Sequence, residues 1–151
     1  ADLDANKGYL PVKNIKKGDV IRIHFDMPVR TVVANNKVAD DKGKVAVERG
    51  PLVYCAEAVD NSNEPVLRAV VAKKPTFTLV DNYSIQNTET KGAPAFSVKA
   101  IKTDAQVLEE GANGISVKND KLTLIPYYAW NHRGANEMNV WFIQNLSMLD
   151  K

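Results

Sequence analysis

The chain of 151 residues has one cysteine, Cys55, so it can form no internal disulfide and no zinc site built from several thiolates. It has no apolar run near the roughly 20 residues that a bilayer-spanning helix requires, which leaves no membrane partner of that kind. It also lacks an excess of charge. The formal net charge is +2, and no Lys/Arg cluster interleaves with aromatics, so nucleic acid is not an expected partner. Three active-site signatures are missing as well: a phosphate-cradling glycine loop, a Ser-His-Asp grouping on a tight turn, and a base beside Cys55 to make a thiolate. Neither an initiator methionine nor a signal peptide is visible, and the chain reads as an excised piece of a longer protein.

The balance of 44% hydrophobic and 25% charged residues is that of an ordinary globular domain. The apolar positions recur mostly every second residue. In VIRIHFDM, Ile21, Ile23, Phe25 and Met27 fall on one side, with Arg22, His24 and Asp26 on the other, the pattern of a half-buried strand. KVAVE repeats it with Val45 and Val47 inward. PLVYCAEAV is apolar on both sides, as in a central strand covered on each face or one crossing between layers. TFTLV (Phe77, Leu79) and AFSVKAI (Phe96, Val98) are further strands. GISVKNDKLTLIPY reads as a hairpin turning at Asn119-Asp120, and MNVWFI closes the set with Met138, Val140 and Phe142 on one face. Gly, Pro, Asn and Asp cluster between these segments, at KKGD, DDKG, ERGP, DNSNEP, KGAP and HRGAN. DAQVLEEG alone reads as helical, with Asp104 as cap and Gly111 as stop. NTETKGAP and VDNSNEP are the expected mobile loops. The expected fold is therefore all-β: an antiparallel sandwich or jelly roll with at most one short helix, forming a single domain over residues 1–151.

Several groups invite a chemical reading. His24, Asp26 and His132 follow the order of the two-His-one-carboxylate set that holds non-haem iron, and the spacing of His24 and Asp26 puts both on one strand face, about 7 Å apart at Cα. Against iron stand the late position of His132 in a Gly/Asn-rich loop and the shortness of the chain. The lack of a co-substrate anchor beyond Arg133 weighs the same way. Glycoside hydrolysis needs two carboxylates across a cleft, and Glu48, Glu57, Asp26 and Glu137 are available. Glu48 and Glu57 lie in or beside strands, where charge normally faces solvent or pairs with Arg or Lys, and Arg49 and Arg133 are at hand. Cys55, within an apolar strand, reads as a small buried hydrophobe. The aromatic run IPYYAWNHRGANEMNVWF is the remaining candidate: Tyr127, Tyr128, Trp130, His132, Arg133 and Trp141 could stack on a sugar or pack at an interface, and core or interface is the favoured reading. If the segment stays extended, Tyr128 and Trp130 share one face and Tyr127 the other.

GYLPVKNIKKGDVIRIHFDMPVR, VAVERGPLVYCAE and LTLIPYYAWNHRGANEMNVWF together resemble the C-terminal β-domain of glycoside hydrolase family 127, the bacterial β-L-arabinofuranosidases. The likeness runs from about Gly8 to Phe142 and is weakest over residues 60–110. It implies that catalysis belongs to a helical-barrel domain outside this chain, where a cysteine nucleophile is held by zinc with further cysteines and a glutamate. Cys55 does not match that nucleophile motif, so no catalytic, cofactor or metal residue transfers here. It further implies a supporting role: contact with an upstream catalytic domain of the same chain, with dimer contacts and a glycan as other partners. IPYYAW and MNVWF would then be paired strands joined by the NHRGANE loop. The alternative is an autonomous carbohydrate-binding module. A bacterial periplasmic or secreted setting is favoured slightly over the cytoplasm.

Overall fold

The computed structural model describes residues 9–85, 96–111 and 114–144. Among them are nine strands and four single-turn 3-10 segments. The strands are β1 (Val29–Val33), β2 (Lys44–Arg49), β3 (Leu52–Glu57), β4 (Ala69–Val71), β5 (Phe77–Ile85), β6 (Phe96–Gly111), β7 (Gly114–Pro126), β8 (Met138–Asn139) and β9 (Phe142–Ile143). The fold is all-β, as the period of two requires.

Six of these strands pair in a closed circuit: β2 with β3, β3 with β7, β7 with β6, β6 with β4, β4 with β9, and β9 back to β2. All are antiparallel except β4 with β9. Each of the six thus has two partners in the circuit, although β7 meets β3 only at Ile125 and Pro126 and its longer stretch pairs with β6. Every strand of the circuit sends side chains into one core: Val45 and Val47 from β2, Tyr54 and Ala56 from β3, Val71 from β4, Ile101 and Ala105 from β6, Leu122 and Leu124 from β7, and Phe142 from β9. Each large aliphatic buried there contributes about 1.5–3 kcal/mol.

A second cluster lies on the other face of β3, β6 and β7. It joins Cys55, Val98, Ala100 and Ile125 to Ile85 of β5 and to Ala129 of the turn after β7. Thus β3 is covered on both sides, with Tyr54 and Ala56 facing one core and Cys55 the other. This is the first of the two arrangements open to PLVYCAEAV. The β2–β3 connection turns at Gly50, whose φ of +56° suits glycine. A Cβ there would stand 2.6 Å from the Met27 sulfur, so the absent side chain also makes room for Met27.

Four expectations are corrected. DAQVLEEG is strand, not helix: it continues β6 and pairs with β7 from Asp104↔Lys121 to Gly111↔Gly114. The alternation Ile101, Thr103, Ala105, Val107 is inward throughout, and Thr103 at its centre masks the continuity. The hairpin turn does not fall at Asn119-Asp120, which are paired within the ladder as Gln106↔Asn119 and Ala105↔Asp120. The ladder closes instead at Gly111↔Gly114, across residues outside the described set. The change of parity between Ile115/Val117 and Leu122/Leu124 marks the end of the core: Ile115 and Val117 are exposed, whereas Leu122 and Leu124 are buried. Among the described residues VIRIHFDM joins no ladder, and Ile21, Ile23 and Phe25 face solvent while Met27 is half-buried. MNVWFI divides into β8 and β9, because the chain bends at Val140-Trp141, with Asn139 Oδ1 accepting from Trp141 N at 3.1 Å. Met138 and Val140 therefore pack on the second cluster, while Phe142 enters the first.

Candidate functional site

The polar centre of the molecule lies where β3 runs out. Glu57 ends the strand, and the next three residues, Ala58–Asp60, form a 3-10 turn that brings Asp60 to the same side. The loop before β8 delivers Arg133 onto both carboxylates. Arg133 Nη2 donates to Glu57 Oε2 at 2.5 Å and to Asp60 Oδ2, and Nη1 donates to Asp60 Oδ1 at 2.5 Å. The Arg133 side chain is only 7% exposed, Glu57 0% and Asp60 2%. Two carboxylates against one guanidinium leave a net negative charge, and neutral donors complete the set. Glu57 Oε1 accepts from Asn131 N at 3.2 Å and from Asn136 Nδ2 at 3.1 Å. Asp60 Oδ1 accepts from the Tyr83 hydroxyl at 2.8 Å.

The electrostatics follow from this geometry. Burial alone would lower the Arg133 pKa, but the hydrogen bonds to Asp60 and Glu57 and their charges outweigh it, so the pKa is raised and the cation is permanent. Burial, the hydrogen bond to Asp60 and its charge push Tyr83 up to about 12. Burial and the charges of Glu57 and Asp60 push the Cys55 thiol up to about 12 as well. These influences favour the neutral thiol over the thiolate. Among the described residues no group of three or more His, Cys, Asp or Glu could hold a metal ion, so the residues present do not fit zinc.

The adjoining VDNSNEP loop is tied down. Asn61 acts as a surrogate strand residue: Nδ2 donates to Glu57 O at 2.7 Å and to Thr123 O at 3.1 Å, while Oδ1 accepts from Thr123 N at 2.7 Å. The other expected loop, NTETKGAP, lies outside the described residues.

The predicted site residues scatter. His24 and Asp26 do share a face, with His24 Nε2 at 3.3 Å from Asp26 Oδ1, but their side chains are 90% and 95% exposed. His132 is exposed elsewhere, edge-on to Phe96 with ring centroids 5.7 Å apart, and the three form no metal-holding group. Glu48 pairs with Arg30 at 2.9 Å rather than with Arg49. Arg133 does take Glu57, the pairing open to it in the sequence.

IPYYAW does not stay extended. β7 ends at Pro126, and Tyr127–Ala129 form a 3-10 turn closed by Trp130 N donating to Tyr127 O at 3.4 Å. Tyr127 therefore meets Trp130, with centroids 5.8 Å apart and rings tilted by 38°, instead of opposing it. Tyr127 and Tyr128 are exposed, while Trp130 and Trp141 are half-buried. Nor do IPYYAW and MNVWF pair with each other. β3 lies between them, taking Ile125 and Pro126 on one side and Met138 and Asn139 on the other. An open cleft of about 550 Å³ runs beside β4, β6 and β7, lined by Val70, Asp104, Gln106, Asn119, Asp120 and Gln144 among others. None of the six aromatic-run candidates lines it.

Asp60, Asn61, Tyr83 and Asn136 carry no signal of this role in the sequence. Arg133 lies 73 and 76 positions from its two carboxylates, and only the fold joins them.

Strand circuit and buried ion cluster together define a class: an all-β module whose most deeply buried charged residues act on one another. The family model "Glycoside hydrolase family 127 C-terminal domain" matches residues 29–143, and the chain belongs to that family. A non-reducing end beta-L-arabinofuranosidase of Bifidobacterium longum is 34% identical over 133 residues, covering 84% of this chain and 20% of its own length. Among solved structures, a family 127 beta-arabinofuranosidase superposes with a TM-score of 0.81 at 43% identity, covering 97% of this chain and 22% of its own. A family 127 beta-L-arabinofuranosidase from Geobacillus stearothermophilus T6 gives 0.63 at 28% identity, over 79% of this chain and 18% of its own. The chain thus spans about one fifth of the length of these relatives.

Proposed function

We propose that this chain is a non-catalytic β-domain of a glycoside hydrolase acting on β-arabinofuranosides, and that it supports a catalytic unit elsewhere in the same polypeptide. The observation that carries the reading is the fate of Glu57 and Asp60. They are neighbouring carboxylates of the kind glycoside hydrolysis employs, yet both are withdrawn from solvent and bound to Arg133. Carboxylates so engaged can neither protonate a leaving group nor reach a sugar carbon. Names and lengths of the relatives supply the other half: they are arabinofuranosidases, and four-fifths of each lies outside the matched region. The zinc and nucleophilic cysteine implied by the resemblance belong to that other part. The exposed Tyr127 and Tyr128 serve as contacts for the catalytic unit or a second subunit.

The test is hydrolysis of an aryl β-L-arabinofuranoside. The full-length protein turns it over, and the 151-residue chain does not. Turnover by this chain alone overturns the proposal.

A second reading, a carbohydrate-binding module, draws on Tyr128, which is 62% exposed beside Tyr127 and Trp130. It requires calorimetric binding to an arabinan-type glycan that Trp130→Ala abolishes. The tilt between Tyr127 and Trp130 makes a poor flat platform, and the accessory reading expects no heat of binding.

A further inference from the structure

Arg49 is the charged residue on the inward row of β2. Val45, Val47 and Arg49 alternate on one side of the strand, and the two valines are 1% and 0% exposed in the first core. The row ends in a half-buried guanidinium. Its Nε is buried and has no hydrogen-bond partner. The neighbouring Glu48 falls on the other side of the strand and is held by Arg30 at 2.9 Å. Among the described residues Arg49 enters no ion pair, whereas Arg133, which also has a buried Nε, holds two carboxylates. A charge drawn partly out of water is costly without a counter-ion, so it rarely stands alone.

The strand register gathers two further groups at this rim. Tyr54 of β3 faces Val47 of β2 on one side and Pro126 of β7 on the other. Arg49 lies two residues beyond Val47 and faces Leu52. Tyr128 lies two residues beyond Pro126, in the 3-10 turn, and so comes to the same end of β3. Both act on the buried Tyr54 hydroxyl: burial raises its pKa, Arg49 opposes the rise, and Tyr128 adds to it. No carboxylate acts on Tyr54, whereas Asp60 acts on Tyr83 and Glu57 on Cys55. Tyr128 is 62% exposed, so the rim is open to a ligand. One guanidinium balances one negative charge; a phosphate group brings nearly two, and a neutral sugar needs none. We infer that Arg49 is the receptor for a single carboxylate, presented beside Tyr128 by an acidic side chain or by a free organic acid. The inference stands on the surroundings of Arg49 and is independent of the accessory reading.

Arg49→Lys in the full-length protein tests it. Trace labelling with dinitrofluorobenzene across pH, read by mass spectrometry on the peptide that carries the substitution, gives the pKa of the new amine. An amine beside a carboxylate titrates above the ordinary lysine value of about 10.4, and an amine that is merely half-buried titrates below it. The labelling is run in sodium chloride and in sodium acetate at equal ionic strength. A raised value is expected. Raised in both salts, it assigns the carboxylate to a protein side chain; raised in acetate alone, it assigns it to a free acid. A value at or below about 10.4 in both salts overturns the inference. If Arg49→Lys does not fold, a crystal structure of the wild-type full-length protein grown with acetate decides. A carboxylate oxygen within about 4 Å of the Arg49 guanidinium supports the inference, and none there overturns it.

Discussion

Replacing Arg133 by methionine removes the one cation between Glu57 and Asp60 and keeps most of the side-chain volume. Three charge-assisted hydrogen bonds disappear. At about 1.5–3 kcal/mol each, they bound the loss at about 9 kcal/mol. Relaxation and water entry reduce this. Breaking a buried pair from one side costs about 3–5 kcal/mol, because charge stays behind without its partner. Here two carboxylates stay behind, 0% and 2% exposed, so the upper part of that range is expected. Urea unfolding at pH 7, followed by tryptophan emission, measures it, and the midpoint temperature should fall by about 10 °C or more. Arg30→Met is the control. It removes an outer pair whose cation is 63% exposed, with an expected cost of about 0–1 kcal/mol. Adding Glu57→Gln and Asp60→Asn to Arg133→Met should recover part of the stability, since no charge is then stranded. A loss below about 1 kcal/mol for Arg133→Met would refute the reasoning, for the cluster would then be open to water.

Further outcomes follow from the same environment. Tyr83 has an ordinary pKa of 10.0 when unfolded and about 12 when folded, so its contribution to stability is intact below pH 10 and fades as pH rises toward 12. Spectrophotometric titration of phenolate should show a late component that Tyr83→Phe diminishes, the remainder coming from Tyr54, whose burial also raises its pKa. Cys55 is fully buried, so a thiol reagent such as DTNB should label it only on unfolding; rapid labelling of the native chain would contradict the packing of β3. Gly50→Ala should cost about 1–2 kcal/mol. Most of that cost should persist in a Met27→Ala background, because the flexible thioether can move whereas the φ of +56° cannot.

The sequence by itself determined which side of each segment is apolar. KVAVE, PLVYCAEAV and the LTLI of β7 deliver their residues to the cores as their spacing dictates, because a strand's period of two is a local property. The turn at ERGP is equally local. Glu57 and Arg133 were legible as possible partners, since a charge in an apolar strand must find a counter-charge. Tertiary structure decided everything that depends on a partner far along the chain. DAQVLEEG has the composition of a helix and becomes strand because β7 offers it a ladder from Lys121 back to Gly114. IPYYAW begins as strand and curls at Pro126, where β3 stops pairing. Asp60, Asn136 and Tyr83 are unremarkable polar residues until Arg133 engages Asp60, Tyr83 donates to Asp60, and Asn136 donates to Glu57. VIRIHFDM shows the division most clearly: alternation assigns each side chain to a face, but backbone hydrogen bonds need a second strand, and no residue pattern carries its partner with it.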